Sequence, residues 1–76
     1  MMNLFEQTKE QIMKMVSEAE GKRIRPHYVE KTISESMGIS IFAVKEAVND
    51  LVQSKELVFT YRDPCSYVEI PAVQSQ

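Results

Sequence analysis

The chain has 76 residues, of which 43% are hydrophobic and 26% are charged, and its formal net charge is −2 at pH 7. This composition is ordinary for a folded globular chain and excludes an intrinsically disordered one, while the length allows one domain with a single modest core. The negative net charge is a warning against nucleic-acid binding, because nucleic-acid-binding domains are commonly basic.

No segment approaches the roughly 18 consecutive apolar residues of a membrane span, and the start has no basic-then-apolar secretion signal. We therefore expect a soluble cytoplasmic protein with one domain over residues 1–76, of which residues 74–76 are frayed. The single cysteine, Cys65, forms neither an internal disulfide nor a metal site by itself. We expect no metal and no cofactor.

The first helix is predicted to run from about Leu4 to Ala19 and to be ended by Gly21. Asn3 is its predicted N-cap, with Glu6 as the capping-box partner. Its apolar stripe consists of Phe5, Ile12, Val16 and Ala19, bordered by Thr8 and Met15. The methionines of this helix have two interpretations: they fill gaps in the core, or they form a homodimer contact on the flanks of the helix.

A positively charged segment follows, in which Lys22, Arg23, Arg25 and Lys31 outnumber Glu30. Within it, Ile24 is predicted to form a very short edge strand, and Pro26 to open the second helix, where its fixed φ and missing N–H cost little. Lys22, Arg23 and Arg25 are candidate contacts to DNA phosphates, to which His27 can add charge near or below neutral pH. The alternative is a solvated basic loop that keeps an edge strand from aggregating.

The turn between the second and third helices carries the most informative pattern of the chain. Val29, Ile33 and Met37 form one face of the second helix. Gly38 is predicted to end that helix in a left-handed conformation, and Ser40 to cap the third helix with its hydroxyl group. This arrangement is typical of a helix-turn-helix.

The third helix has a predicted buried face and a predicted outward face. At 100° per residue, the buried face is centred on Val48 and includes Ile41, Val44, Leu51 and Val52. The outward face carries Phe42, Ala43, Glu46, Asn49, Asp50 and Gln53, with Lys45 on the flank. In a helix-turn-helix the outward face enters the DNA major groove, so the candidate groove-facing residues are Ser40, Phe42, Lys45, Asn49 and Gln53.

Individual residues of this face favour DNA binding to different degrees. The side-chain amides of Asn49 and Gln53 can pair with adenine edges, whereas Glu46 and Asp50 would face phosphates. Phe42 lies about 120° from the centre of the buried face, so it is expected to be exposed. Three interpretations of Phe42 are open: its ring packs against thymine methyl groups, it docks a protein partner, or it folds back over the second helix as local core.

The segment from Leu57 to Ile70 alternates in polarity like a β-hairpin. Asp63 and Pro64 suit a type I turn within residues 63–66. Arg62 is the single cation of this predicted wing and a candidate DNA contact. Cys65 is expected at the exposed tip, either as an inert thiol or in an intermolecular disulfide or redox-sensing role.

Three helices followed by a short hairpin predict an α+β winged helix-turn-helix with a small antiparallel sheet. The run Gly38-Ile39-Ser40 and Val44-Lys45-Glu46-Ala47-Val48 through Leu51 resembles the helix-turn-helix core of winged-helix regulators, particularly the GntR-like group. The resemblance implies a transcriptional regulator that binds double-stranded DNA and a DNA-contacting cation at Lys45. At Ile41 and Phe42, where that group tends to have polar or basic residues, this chain has apolar ones.

A second resemblance points to a different class of function. The size, the run Val44-Lys45 through Leu51-Val52 and the following hairpin are similar to the small winged-helix proteins of the dissimilatory sulfite reductase D type. That resemblance implies an accessory module that binds a protein partner, for which Ile41, Phe42 and Ala43 are the candidate contact. We expect no enzymatic activity, since no catalytic or phosphate-binding motif is present.

Overall fold

The computed structural model describes residues 3–62 and 65–71. The elements, in chain order, are α1 (Leu4–Glu18), a 3-10 turn (Glu20–Lys22), β1 (Arg23–Ile24), α2 (Pro26–Met37), α3 (Ile41–Gln53), β2 (Val58–Arg62) and β3 (Cys65–Glu69). The strands form one antiparallel sheet in the order β1-β3-β2. Three helices with this sheet give the α+β winged-helix layout that the sequence predicts.

Helix α1 begins where the sequence predicts and ends slightly earlier. The Asn3 side chain accepts a hydrogen bond from the Glu6 amide at 2.8 Å, which confirms the N-cap. The helix stops at Glu18 because Ala19 is already extended, with φ −73° and ψ 149°. The expectation that Gly21 ends α1 is therefore wrong: Gly21 has φ 73° within the 3-10 turn that leads into β1.

All three helices and two residues of the β-region form one core. Its buried hydrophobic residues are Ile12, Val16, Val29, Ile33, Val44, Ala47, Val48, Leu51, Leu57 and Val68. Met13 and Met15 pack against this cluster, which favours the core-filling interpretation of the methionines. The core therefore joins the helices to the hairpin and fixes the position of one relative to the other.

Three predicted core residues are neither in this cluster nor packed against it, and one residue of the core was not predicted. Phe5 and Ile41 are 39% and 41% exposed, and each lies in the first turn of its helix, while Ala19 is half-buried just after the end of α1. Ala47 is fully buried because α3 contacts both α1 and α2, which buries a wider arc than a single-faced helical wheel allows.

The turn between α2 and α3 has the predicted geometry. Gly38 is left-handed, with φ 67° and ψ 36°, and its amide donates to the Ser34 carbonyl at 2.9 Å. The Ser40 hydroxyl accepts from the Ala43 amide at 3.2 Å and caps α3. These local bonds reverse the chain and confirm the helix-turn-helix geometry.

We expect Gly38→Ala to lower the free energy of unfolding by about 1 kcal/mol, because a residue with a Cβ is strained in the left-handed region. A Cβ at this position would meet no atom within 4 Å, so the cost is conformational rather than steric. Urea denaturation followed by circular dichroism measures it. The control is Ser36→Ala, an exposed position of α2. Equal midpoints for Gly38→Ala and the wild type would contradict the strain.

The sheet has an inner and an outer face that the strand register defines. Ile24, Val68 and Phe59 are directly paired across the three strands and share the inner face with buried Val68. The alternate positions, including Arg23 and Tyr67, therefore lie on the outer face. The inner face packs on the helices, and only this face can contribute to a site that includes α3.

The predicted wing turn needs one correction. Strand β3 begins at Cys65, which pairs with Arg62, so the connection is shorter than residues 63–66. Cys65 is half-buried in a strand and is not an exposed residue of the tip. Asp63 and Pro64, which carry the predicted type I turn, lie outside the described residues, as do residues 74–76, for which the sequence predicts fraying.

Candidate nucleic-acid interface

A groove of about 620 Å³ lies between the start of α2, the exposed side of α3 and the inner face of the hairpin. Its lining residues are Arg25, Pro26, His27, Glu30, Lys45, Val48, Asn49, Val52, Phe59 and Ser66. The core, which includes Val44, Val48 and Leu51 of α3 and Val68 of β3, fixes α3 relative to the sheet and so forms the walls of the groove. It brings together residues as far apart in the chain as Arg25 and Ser66.

The groove contains more cations than anions. Arg25 immediately precedes α2 and Lys45 lies on α3, so the two cationic side chains approach the groove from different parts of the fold. The carboxylate of Glu30 is 3.7 Å from Lys45 Nζ, and the Glu30 side chain is only 12% exposed. Glu30 therefore offsets part of the positive charge, and His27 adds to it when protonated.

The remaining lining residues supply an apolar surface and neutral polar groups. Val48 is buried, Val52 is half-buried, and the Phe59 ring is more than half exposed at the edge of the sheet. Asn49 is exposed on α3, and Ser66 of β3 lines the groove where the hairpin forms its wall. Cations beside an amide and an aromatic ring are able to bind a phosphate backbone and an adjoining base edge.

Three of the candidate site residues, Arg25, Lys45 and Asn49, lie together in the groove. Phe42 and Gln53 are exposed on α3 outside it, whereas Ser40 uses its hydroxyl group to cap that helix. Arg62 belongs to β2, whose inner-face residue Phe59 lines the groove. The candidate site is therefore divided between the groove and the exposed side of α3.

Lys22 and Arg23 lie apart from this groove. Lys22 Nζ is 3.4 Å from the Ser17 carbonyl oxygen, at the end of α1. The Arg23 guanidinium lies 5.4 Å from the centre of the Tyr67 ring on the outer face of the sheet. The basic segment is thus split: Arg25 faces the groove, and Arg23 stacks on the opposite side of the sheet.

The groove also includes residues that were not among the predicted contacts, namely Glu30, Phe59 and Ser66. The alternation of Leu57, Phe59 and Tyr61 was a usable signal for Phe59, since it placed the ring on the core-facing side of the hairpin. No local pattern pairs Glu30 with Lys45, because their contact depends on how α2 packs against α3.

The Asp50 side chain is 47% exposed, as the helical wheel suggests, but its carboxylate is paired with a lysine of α1. Lys9 Nζ of α1 lies 2.8 Å from Asp50 Oδ2 and 3.3 Å from Glu6 Oε2, and it also sits 5.1 Å from the centre of the Phe5 ring. The hydrogen bond to Asp50 is the largest cause that raises the pKa of Lys9 above its ordinary value, and Glu6 adds to it while desolvation opposes it. Lys9 therefore neutralises an acidic residue that would otherwise oppose DNA binding.

This ion pair predicts a pH dependence of stability. Because folding raises the pKa of Lys9, its contribution is fully present below the unfolded-state value and is lost as the pH rises through the folded-state value. We expect Lys9→Met to melt at a lower temperature than the wild type at neutral pH, and the difference to disappear in strongly alkaline solution. Melting curves from neutral pH to about pH 12 measure this, because the contribution is lost only as the pH passes a folded-state pKa that lies above 10.5.

The control for the ion pair is Lys14→Met, which removes a lysine from an exposed position of the same helix. Its melting temperature should differ little from that of the wild type at any pH. A Lys9→Met difference that persists unchanged at alkaline pH would mean that lost packing, and not lost charge, causes the destabilisation.

Phe42 is 79% exposed, so the interpretation that it folds back over α2 as local core is wrong. Ile41 beside it is also exposed, and Ala43 is half-buried. An apolar patch at the start of α3 therefore remains available for a thymine methyl group or for a protein surface.

No protein-family model, curated protein or solved structure matches this chain. Among the helices of the described residues, none has both the length and the apolar character that crossing a bilayer requires. The groove and the exposed side of α3 are therefore the features from which a function can be argued.

Proposed function

We propose that this protein is a small winged-helix DNA-binding protein that acts as a transcriptional regulator. The observation that carries the proposal is the convergence of Arg25, Lys45 and Asn49, from two helices, in one groove beside the hairpin. Arg25 and Lys45 neutralise backbone phosphates, while the exposed side of α3 enters the major groove of the duplex. The proposal agrees with the resemblance of the turn and third helix to GntR-like regulators.

Sequence preference in this proposal comes from α3. The exposed amides of Asn49 and Gln53 are one turn apart and read base edges, for which adenine is the matching partner. The Phe42 ring packs against thymine methyl groups near the start of the helix. Asp50 is bound by Lys9, whereas the exposed carboxylate of Glu46 remains on this face and reduces affinity.

Binding to a short labelled duplex of mixed sequence, titrated at several salt concentrations, tests the proposal. Two or three phosphate contacts predict a plot of log K against log[salt] with a slope of about −2 to −3. The affinity is expected to be weak at physiological salt and measurable at low ionic strength. A protein that shows no binding at the lowest ionic strength is not a DNA-binding protein of this kind.

The exposure of Ile41 and Phe42 favours a second candidate function, that of an accessory module which binds a protein partner. This function agrees with the resemblance to the sulfite reductase D-type proteins. It predicts no affinity for duplex DNA at low ionic strength and loss of partner capture from a lysate in Phe42→Ala. Capture that is intact in both Phe42→Ala and Lys45→Ala would remove the reason for assigning this face to a partner.

A further inference from the structure

Strand β2 forms an exposed edge of the sheet. The order β1-β3-β2 leaves β2 paired on one side only among the described strands. Its side chains are unusually apolar for an edge: Val58 is 40%, Phe59 53% and Tyr61 70% exposed. An edge strand with unpaired backbone groups and such side chains is a template for pairing with another strand.

The two edges of the sheet differ in protection. Strand β1 has only two residues and is followed, after Arg25, by Pro26, so it offers almost no backbone for pairing. Strand β2 has five residues, and residues 58–61 contain no proline and no charged residue, so that its one charge is Arg62 at the end of the strand. Strand β1 is thus better protected against pairing than β2.

The β2 segment is complementary to itself in one antiparallel register. With a two-fold axis at Thr60, the Thr60 residues of two copies face each other and Phe59 faces Tyr61 of the second copy. Aromatic pairs and threonine pairs directly opposite each other are favourable across antiparallel strands. Val58 then pairs with position 62 of the second copy.

We propose that a second copy of this chain pairs with β2 in this register and forms a six-stranded sheet. The remaining edges of that sheet are the two short β1 strands, so the assembly closes at two copies. The contact therefore combines backbone pairing along five residues with an aromatic pair on the inner face of the sheet.

The symmetry has a consequence for the groove. A two-fold axis perpendicular to a sheet keeps the helices of both copies on the same side of it. Phe59, which lines the groove, would have Tyr61 of the second copy beside it on the inner face. Both grooves then lie on one face of the dimer, although the pairing itself does not depend on the proposed DNA binding.

Cysteine cross-linking tests the register directly, in a Cys65→Ser background of the full chain. In the proposed pairing the Cα atoms of the two Thr60 residues are about 4.5–5.5 Å apart, within the range for a disulfide. The matched control is Val58→Cys, whose two copies are offset by four residues, or about 13 Å. We expect mild oxidation to cross-link Thr60→Cys at least tenfold faster than Val58→Cys.

Two further measurements keep the test independent of folding. The Thr60 hydroxyl donates to Glu69 Oε2 at 2.8 Å, so far-UV circular dichroism must show that Thr60→Cys is folded. A mixture of Val58→Cys and Arg62→Cys chains should cross-link preferentially to each other, because these positions are paired. In addition, sedimentation velocity at high concentration should show a dimer that Tyr61→Lys converts to a monomer.

Equal cross-linking rates at positions 58 and 60 would overturn the register. A wild-type chain that sediments as a monomer at the highest concentration, with no cross-linking of Thr60→Cys, would overturn the pairing itself and leave the edge to another partner. The interface is small compared with the roughly 1,200–2,000 Å² of stable complexes, so dimerisation is expected only at high protein concentration.

Discussion

Leu51→Ala is expected to lower the free energy of unfolding by about 2–5 kcal/mol, the usual cost of removing a buried leucine side chain. Leu51 is 2% exposed and belongs to the core cluster between the helices and the hairpin. A domain of this length is stabilised by only about 4–11 kcal/mol in total. The variant should therefore lose a large part of its stability, and urea denaturation with circular dichroism measures the loss.

The position of Leu51 makes this loss relevant to the groove. Its carbonyl oxygen accepts bonds from the Glu56 amide at 3.0 Å and the Leu57 amide at 3.2 Å, in the link that connects α3 to β2. Leu57 is itself buried in the same core cluster. A cavity here would weaken the packing that holds the hairpin against α3, and with it the relative position of Phe59 and Lys45.

Leu4→Ala is the matched control, since it makes the same chemical change at a side chain that is 55% exposed. Its effect should stay within about 0.5 kcal/mol, as for most surface substitutions. If the two variants have the same urea midpoint, Leu51 does not contribute to the core. The packing at this junction would then not explain why the hairpin has a fixed position relative to α3.

The helix-turn-helix could be predicted because its signals are local. Gly38 adopts a φ of 67° at the end of α2, and Ser40 accepts a hydrogen bond from the Ala43 amide at the start of α3. Both features depend on hydrogen bonds between residues only a few positions apart in the chain. The short strand at Ile24 could also be predicted from a local signal, because Ile24 is an apolar residue with an arginine on each side. The order of the three strands was not predicted and is a finding of the structure.

What the sequence did not predict depends on contacts between distant elements. Asp50 appears outward on an isolated helical wheel, yet Lys9 lies against it because α1 crosses α3 at that point. Glu30 is offset by Lys45 for the same kind of reason, through the packing of α2 on α3. Periodicity gives the direction of a side chain relative to its own helix, whereas the neighbour that meets it is a property of the tertiary structure.

These contacts change how the net charge of the chain is understood. Part of its acidity lies in intramolecular pairs: Asp50 is bound by Lys9, and Glu30 partly shields Lys45. The local charge of the groove is therefore more positive than the overall charge of −2 indicates. A weak, salt-sensitive interaction with phosphates is compatible with an acidic protein if the cations are gathered on one surface.

The double variant Arg25→Ala/Lys45→Ala should show the largest loss of DNA affinity, about one to two orders of magnitude at low ionic strength. Each phosphate contact contributes about 0.9 to the salt slope, so the slope should become less negative by about 1.8. Both side chains belong to the groove, and their truncation leaves the buried core intact. Fluorescence anisotropy with a labelled duplex at several salt concentrations measures both quantities.

The control Lys14→Ala/Lys31→Ala removes two positive charges from exposed helix positions that do not line the groove. The change in overall charge is the same as in Arg25→Ala/Lys45→Ala, and only its location differs. Because the two lysines lie outside the groove, we expect a much smaller change in the salt slope. Glu30→Gln provides a change of opposite sign: without the carboxylate 3.7 Å from Lys45 Nζ, the lysine is free for a phosphate, and the affinity should rise. Equal losses in both double variants would mean that DNA responds to total charge alone, and the groove would then have no specific part in binding.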